Sequence, residues 1–410
     1  MKTLLVQNYL RSGKTLEDLV VEHGVYNKIT NGKIALSYDQ LEAKNTDPIA
    51  CECRGLVLEE NTYNIVACPM FRFFNDGQVD LIPKDFDLKT AKFLEKMDGT
   101  LAIVYFYKDK WFIGTRSRCE ADVNIDSLDI TFSGLFDMAV REMWTKNQVA
   151  FINSHSLNQN IQTFMNSFYK KDILNYTFCF EITSPYNRIV CKYDNIELTL
   201  LAVKNNISLE EEDPKNWLTE NIVKQYGLKT PKEYEFNNTE HMIEFIRNSN
   251  PENTEGLVLV DAKFNRMKVK SPQYMAFNKM RDSLFTSIKG CIEVILLGKD
   301  DDIVGMMPDL IADRIRKLKP VVQFVMKKAE EDYANIIHID NMKEFAGQAE
   351  LTIWPSAMYA LKRNKTPNLH SWALGNKSDV SKIPSSAIET MLSMCESVDP
   401  SIKNLKLGLI

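Results

Sequence analysis

The sequence predicts an α+β protein, an antiparallel-sheet domain followed by an all-α C-terminal domain, on three observations. Between about residues 50 and 290, short runs of Val, Ile, Phe, Tyr and Thr are separated by polar turns, without the regular strand-helix alternation of a parallel sheet. Beyond about residue 285 the apolar residues recur at helical spacing instead. A chain of 410 residues is also too long for one ordinary core, so we expect domains 1–285 and 286–410.

The elements follow in chain order. "NYLRSGKT" ends like a phosphate-binding loop, but Asn8 stands where that loop needs its first glycine and no buried strand precedes it. It reads as an exposed loop before the helix "TLEDLVVEH". "CRGLVLEENTYNIVAC" and "TLAIVYFYKDKWFIGTRS" read as strand pairs, with helical spacing over 132–170 and 237–248. "YTFCFEITSPYNRIVCKYDNIELTLLAV" supplies further strands. "TEGLVLVDAKFNRMKVKSPQYMAF" reads as a hairpin turning near Ala262–Asn265. In the C-terminal part a helix opens at Pro308 and must kink or break at Pro320. The acidic run "KDDDIVG" reads as a solvated helix cap, because it lacks the later oxygen ligands of a metal loop.

Composition bounds the function. With 44% apolar and 26% charged residues the chain is of the soluble globular class. Its net charge of −5 provides no global basic field, so a polyanionic partner must be met by local patches. The eight cysteines and five histidines are scattered, and the one close pair, Cys51 and Cys53, lacks zinc-knuckle spacing. Free thiols in a reducing cytosol are expected. No secretory signal and no apolar run able to cross a bilayer is found, so we expect a cytoplasmic location and no membrane contact.

The chemistry-bearing residues begin at "LEKMDGTLAIVYFY". In an extended segment Lys96 and Asp98 share one face, and Gly99 admits a turn or a close approach. A lysine amine attacks phosphorus only when neutral, and its ordinary pKa is about 10.4, so such a site must lower it by burial and nearby positive charge. In "YTFCFEITS" strand alternation puts Glu181 on the face of Thr177, Cys179 and Thr183, either in a polar cleft or on a solvated edge strand. In the hairpin Glu255 falls close across from Lys270, and Lys268 shares a face with Lys270. That arrangement suits a metal-bound nucleotide phosphate; the alternative is a solvated salt-bridge ladder.

The order of these motifs carries a resemblance. "KMDG" at 96–99, "FCFE" at 178–181, "LTLLAV" at 198–203, "EGLVLV" at 255–260 and "KVK" at 268–270 resemble the covalent nucleotidyltransferase motifs of ligases and mRNA capping enzymes. "ECRGLVLE" at 52–59, "PMFRFFN" at 69–75 and "SPYNRIV" at 184–190 are similar to the phage-type RNA ligase 1 family. The resemblance spans residues 35–280 and implies a nucleotidyltransferase (adenylation) domain using ATP and Mg²⁺, with Mn²⁺ as a substitute.

It implies that Lys96 takes AMP from ATP, Glu181 holds the ribose, Glu255 positions the metal, and Lys268 and Lys270 contact the α-phosphate. Arg54 would meet the outgoing phosphates, Gly99 would lie against the nucleotide, and Asp98 would orient Lys96 or help hold metal. Two departures stand out: Arg72 stands where the family often has lysine, and Arg116 and Arg118 in "GTRSRCEAD" replace a lysine-rich stretch; Arg72 and Arg116 are assigned to the nucleotide. The expected partner is RNA with 5′-phosphate and 3′-hydroxyl ends, such as tRNA cleaved in its anticodon loop, in a phage-infected host's cytoplasm. The alternatives are a capping guanylyltransferase and a catalytically inert RNA-binding relative.

Overall fold

The computed structural model describes the chain except residues 1, 41, 76–84, 123, 126–129, 147–156, 169–171, 287, 299, 301–303, 305–308, 364–367, 374–384 and 403–410. The chain divides into two compact units, Met1–Met275 and Ala276–Ile410.

The first unit is built on antiparallel sheets. The first sheet runs β1 (Val25–Thr30), β2 (Lys33–Tyr38), β3 (Arg54–Glu59) and β4 (Ile65–Ala67) side by side. Two five-stranded sheets carry the functional motifs. One contains β5 (Phe74–Asn75), β6 (Lys92–Glu95), β14 (Glu233–Tyr234), β15 (Gly256–Val260) and β16 (Arg266–Lys270), in the order β14-β6-β15-β16-β5. The other contains β7 (Thr100–Tyr107), β8 (Lys110–Gly114), β11 (Tyr176–Thr183), β12 (Glu197–Asn205) and β13 (Glu211–Glu212), in the order β13-β12-β11-β7-β8. A short ribbon, β9 (Asn124–Ile125) and β10 (Ile130–Thr131), lies outside both. The β16–β5 pair is parallel; the other ladders are antiparallel.

β7 explains why its sequence is apolar at nearly every position. Ala102 and Val104 pack into the helix-covered core, whereas Ile103 and Tyr105 pack against Ala35, Val57, Val66 and Ala67 of the first sheet. Both faces are buried, so the period-two pattern disappears. On the helix side, Phe178 and Phe180 of β11 meet Phe136 and Phe164 from the helices Phe132–Lys146 and Leu157–Asn166, within the span expected to be helical. The helix expected over 237–248 is Thr239–Asn248, capped by the Asn238 side chain accepting from His241 N. At the other expected helix, Leu16–His23, Thr15 is the N-cap, and the neighbouring Lys14 pairs with Glu22 at 2.6 Å. The apparent phosphate loop is thus the end of one helix, Leu5–Arg11, and the cap of the next, where an exposed loop was expected.

The second unit is helical in its described residues, around a core that includes Ile292, Ile315, Val325, Phe345, Trp354, Met358 and Met391. The helix Asp309–Ile336 continues through Pro320, so of the expected kink or break the break does not occur. Ile315, Leu318, Val322 and Val325 are buried on either side of the proline and anchor both halves, offsetting its missing hydrogen bond. Pro308 and most of "KDDDIVG" lie outside the described residues. Among the described residues no helix is long and apolar enough to cross a membrane.

Candidate active site

Lys96 stands where the chain passes from one five-stranded sheet to the other. β6 ends at Glu95, and Lys96 N still donates to Gly256 O at 2.9 Å. The link Lys96–Gly99 then enters β7. Lys96 and Asp98 therefore do not sit on one face of an extended strand, as expected from sequence. Lys96 Nζ lies 2.5 Å from Glu255 Oε2, whereas Asp98 is 2% exposed and bonded elsewhere.

Glu255 is held by a glycine. Gly256 has φ +143°, and a Cβ there would fall 2.1 Å from Val269 O, so only glycine permits this approach of β15 to β16. The register pairs Gly256 with Lys270, one residue from the expected Glu255–Lys270 alignment. The side chains meet nevertheless: Glu255 Oε1 is 2.7 Å from Lys270 Nζ. Glu255 is 3% exposed, which removes the solvated-ladder alternative. Lys268, two residues earlier on β16, shares the face of Lys270. Burial, then the charges of Lys96, Lys270 and Arg54, lower its pKa to about 8.

Glu181 comes from the middle of β11, between β12 and β7, so the edge-strand alternative is also removed. Its Oε1 accepts from Gly99 N at 3.1 Å. A Cβ on Gly99 would come within 2.2 Å of Ile182 O; the glycine is required by neighbouring protein backbone, whatever else approaches it. Burial raises the Glu181 pKa to about 7, and Lys96 and Arg54 oppose that rise.

Arg54, at the start of β3, turns inward. Its Nη1 is buried with no hydrogen-bond partner among the described residues. Burial lowers its pKa, with Glu181 and Arg116 among the groups it feels. No ion pair forms with Glu52 or Glu59, the acidic residues near it in sequence. Glu52 accepts from Leu5 N at 3.0 Å and Val6 N at 2.9 Å, and Glu59 accepts from Tyr107 Oη at 3.0 Å. The Phe73 ring joins Arg54 to Lys268, lying 5.4 Å from the guanidinium of one and 5.5 Å from the ammonium of the other.

Arg72 and Arg116 form a second tier. Their guanidinium carbons lie 4.1 and 4.8 Å from the ring of Tyr38. Arg116 donates to Tyr38 O at 3.2 Å, and Arg72 donates to Asn45 Oδ1 while its Nη1 stays buried and unpartnered among the described residues. Such planar stacking is available to arginine and not to lysine.

Asp98 has another task. Oδ2 accepts from Val190 N at 2.8 Å and Cys191 N at 2.7 Å, and Oδ1 accepts from Tyr274 Oη at 2.6 Å. Both oxygens are engaged by protein donors, so Asp98 ties the Lys96–Gly99 link to Val190, Cys191 and Tyr274. Sequence reasoning missed Tyr274 and Asn187. Asn187 Nδ2 donates to Thr100 Oγ1 at 3.1 Å and Ile182 O at 3.2 Å, which explains an asparagine in "SPYNRIV". The available signal for Tyr274 was a tyrosine four residues after Lys270, just inside a proline-led helix.

Four cations, Lys96, Lys268, Lys270 and Arg54, thus surround two half-buried or buried carboxylates, Glu181 and Glu255. Among the described residues no group of three or more His, Cys, Asp or Glu side chains is placed to cage a metal ion. Such a donor set suits a divalent ion that arrives with phosphate oxygens and takes one or two carboxylates from the protein.

An RNA ligase family model matches residues 52–274, more than half of the chain and every motif residue named above. The chain belongs to the phage-type RNA ligase 1 family. It is similar to an Autographa californica nuclear polyhedrosis virus protein provisionally named a bifunctional polynucleotide kinase/RNA ligase, with 28% identity over 352 residues. The match takes in 82% of this chain and 46% of the relative, so the chain spans about half the length of that protein. Among solved structures, an archaeal ATP-dependent RNA ligase matches with TM-score 0.41 and 12% identity over 70% of this chain and 68% of that one. A Naegleria gruberi RNA ligase, solved with AMP and Mn, matches with TM-score 0.34 and 16% identity over 49% and 55%. Likenesses at these scores carry nothing about the site.

Proposed function

We propose that this family member is an ATP-dependent RNA ligase working through a lysyl-AMP intermediate. The observation that carries the reading is the buried Glu255 carboxylate clamped between Lys96 and Lys270, with Lys268 and the unpartnered Arg54 guanidinium beside it. Orphaned buried donors and a surplus of cations fit a polyphosphate. Magnesium-bound ATP supplies the electrophilic α-phosphorus and the pyrophosphate leaving group.

Glu255 must release Lys96 before the amine can attack, because the 2.5 Å contact holds Nζ against the carboxylate and away from any phosphorus. Glu255 would also be the carboxylate that holds a divalent ion, which would supply charge neutralisation on the phosphates. Lys268 and Lys270 then neutralise charge on the α-phosphate, and Glu181 holds the ribose with Gly99 N fixing its orientation. Arg54 receives the departing phosphates; Arg72 and Arg116 extend that positive path. The Nζ–P bond forms as the α–β bridging P–O bond breaks, and the amine proton leaves to solvent. AMP next passes to an RNA 5′-phosphate, and a 3′-hydroxyl displaces it to seal the strand. Each transfer depends on placement and charge neutralisation.

The substrate is RNA with 5′-phosphate and 3′-hydroxyl ends, tRNA broken in its anticodon loop being one example, in the cytoplasm of an infected host. The helical unit would select that RNA, although its run "DRIRKLK" carries less free charge than its sequence suggests. Arg314 is buried, Arg316 pairs with Asp313 at 2.7 Å, and Lys319 pairs with Asp300 at 2.7 Å. In "LKRNK" Lys362 donates to Ile337 O at 2.6 Å, and residues 364–365 lie outside the described residues.

A capping guanylyltransferase shares the lysine chemistry but resembles its relatives in following the paired-lysine strand with a β-barrel, where this chain is helical. Incubation with labelled ATP and, separately, GTP tests the reading. A denaturation-resistant adduct with ATP is expected; an adduct with GTP alone supports the capping alternative, and none with either supports an inert RNA-binding relative.

A further inference from the structure

A cavity of about 960 Å³ in the first unit lies next to the catalytic cluster without including Lys96, Glu181 or Glu255. Its size is at the upper end of ligand pockets, about 300–1,000 Å³. The segment Phe71–Phe74 forms part of its wall, and Phe73 within that segment is the ring that meets Arg54 and Lys268 on the catalytic side. One aromatic ring therefore separates the cavity from the reacting phosphate's proposed seat.

Three observations bear on what fits there. Arg72 lines the cavity with a buried Nη1 that has no partner among the described residues. Phe264 also lines it, from the β15–β16 turn, with φ +63°, a left-handed conformation that is a genuine outlier for a bulky side chain. Such strain persists where surrounding structure or function requires the side chain in that place. Lastly, the walls mix rings with both signs of charge: Lys204 lies 3.6 Å over Phe71, and Glu52 and Glu211 stand nearby. Glu52 already accepts from the Leu5 and Val6 amides and Glu211 from Arg266, which leaves the ring faces, suited to a base, and the Arg72 guanidinium, suited to its phosphate.

Resting on the ligase reading, we propose that this cavity seats one nucleotide of the RNA beside the joint, its base against Phe264 and Phe71 and its phosphate on Arg72. The site places the strand while the catalytic cluster performs the transfer.

The test uses the full chain and a 5′-adenylated oligoribonucleotide with a 3′-hydroxyl acceptor, so that sealing is read without the first step. Phe264→Asn removes the ring yet suits the left-handed backbone, so folding is protected; Phe264→Tyr restores a ring. The expected result is a KM for RNA raised about tenfold in Phe264→Asn, the scale of one lost stack, and near wild type in Phe264→Tyr. An abasic scan of the oligonucleotide should find one position near the joint whose missing base raises KM in the wild type and not in Phe264→Asn. The proposal is overturned if Phe264→Asn leaves the RNA KM unchanged, if no position behaves in this way, or if the KM for ATP is what moves. A wild-type protein that forms no adduct with ATP instead defeats the ligase reading. Fluorescence anisotropy with unadenylated oligonucleotides, intact and abasic, then still decides the cavity by the same comparison.

Discussion

Asp98→Ala should weaken a fold that Lys96→Ala leaves intact, although the two residues share one short motif. Removing the Asp98 carboxylate strands three donors in a site only 2% exposed: the Val190 and Cys191 amides and the Tyr274 hydroxyl. Losing bonds to a charged acceptor and leaving their donors unpaired costs about 1–2 kcal/mol each, or about 3–6 kcal/mol together. A domain's whole stability is about 5–15 kcal/mol, so the loss is a large share of it. For a unit of this size about 1 kcal/mol moves Tm by roughly 2–4 °C, giving a fall of roughly 6–24 °C. Differential scanning fluorimetry measures that fall, and labelled-ATP adduct formation, taken well below the new Tm, measures the chemistry. Asp98→Asn keeps one acceptor oxygen and should lie between. An Asp98→Ala protein with wild-type Tm and no adduct would refute the reasoning, because the carboxylate would then be acting on Lys96 or metal and not on the fold.

Other substitutions separate chemistry from stability. Lys96→Ala should abolish the adduct with a Tm change of a few degrees at most, while sealing of pre-adenylated RNA persists in part; an adduct that survives removes Lys96 as nucleophile. Glu255→Ala and Lys270→Ala should each cut adduct formation by orders of magnitude; near-normal adenylation in both would return the cluster to a structural role. Glu181, raised to about 7 by burial, favours folding below its unfolded pKa and loses that contribution as pH rises through 7. Glu181→Gln should therefore gain Tm relative to wild type between pH 5 and 8, and a pH-independent difference contradicts the burial argument. Lys268, lowered to about 8, has the opposite window: its contribution is present above pH 10.5 and lost as pH falls through 8, so Lys268→Met should be relatively more stable at pH 7 than at pH 10. A chain shortened to residues 1–285 should still form the adduct but lose discrimination between a nicked stem-loop and an unstructured oligonucleotide; unchanged discrimination excludes the helical unit as selector.

What the sequence made legible followed local periodicity. Period two placed Glu181 opposite the phenylalanines of β11, and it placed Lys268 with Lys270 on β16, because both strands run without a break through those residues. It failed at Lys96–Gly99, where the chain leaves one sheet for another and alternation no longer governs direction. The hairpin register was one residue off because Gly256 adopts a backbone that no side-chain pattern encodes. Tyr274 and Arg54 show a second limit. Tyr274 meets Asp98 across 176 residues, and Arg54 acquires its character from being buried and unpartnered, which depends on neighbours brought from three sheets. At Pro320 the helix is not broken for the opposite reason: tertiary packing on both sides of the proline outweighs the local rule.

The electrostatics of the cluster bear on why it would take a nucleotide at all. Counting Lys96, Lys268, Lys270 and Arg54 as positive and Glu181 and Glu255 as negative leaves a formal charge of 4 − 2 = +2 in a site that water reaches poorly. The protein does not neutralise this excess from within. It shows in the lowered pKa of Lys268 and in the unpartnered Arg54 nitrogen, and Glu181 stays raised despite the cations because burial outweighs their attraction. A metal-nucleotide carrying net negative charge would relieve the mutual repulsion of the cations and give Arg54 its acceptors. The folded state therefore carries an unfavourable arrangement at this one place, and binding is the event that relaxes it. Glu255 sits at the centre of that exchange. It bridges Lys96 and Lys270 and so holds the cations together, and in the proposed reaction its release would leave them facing phosphate.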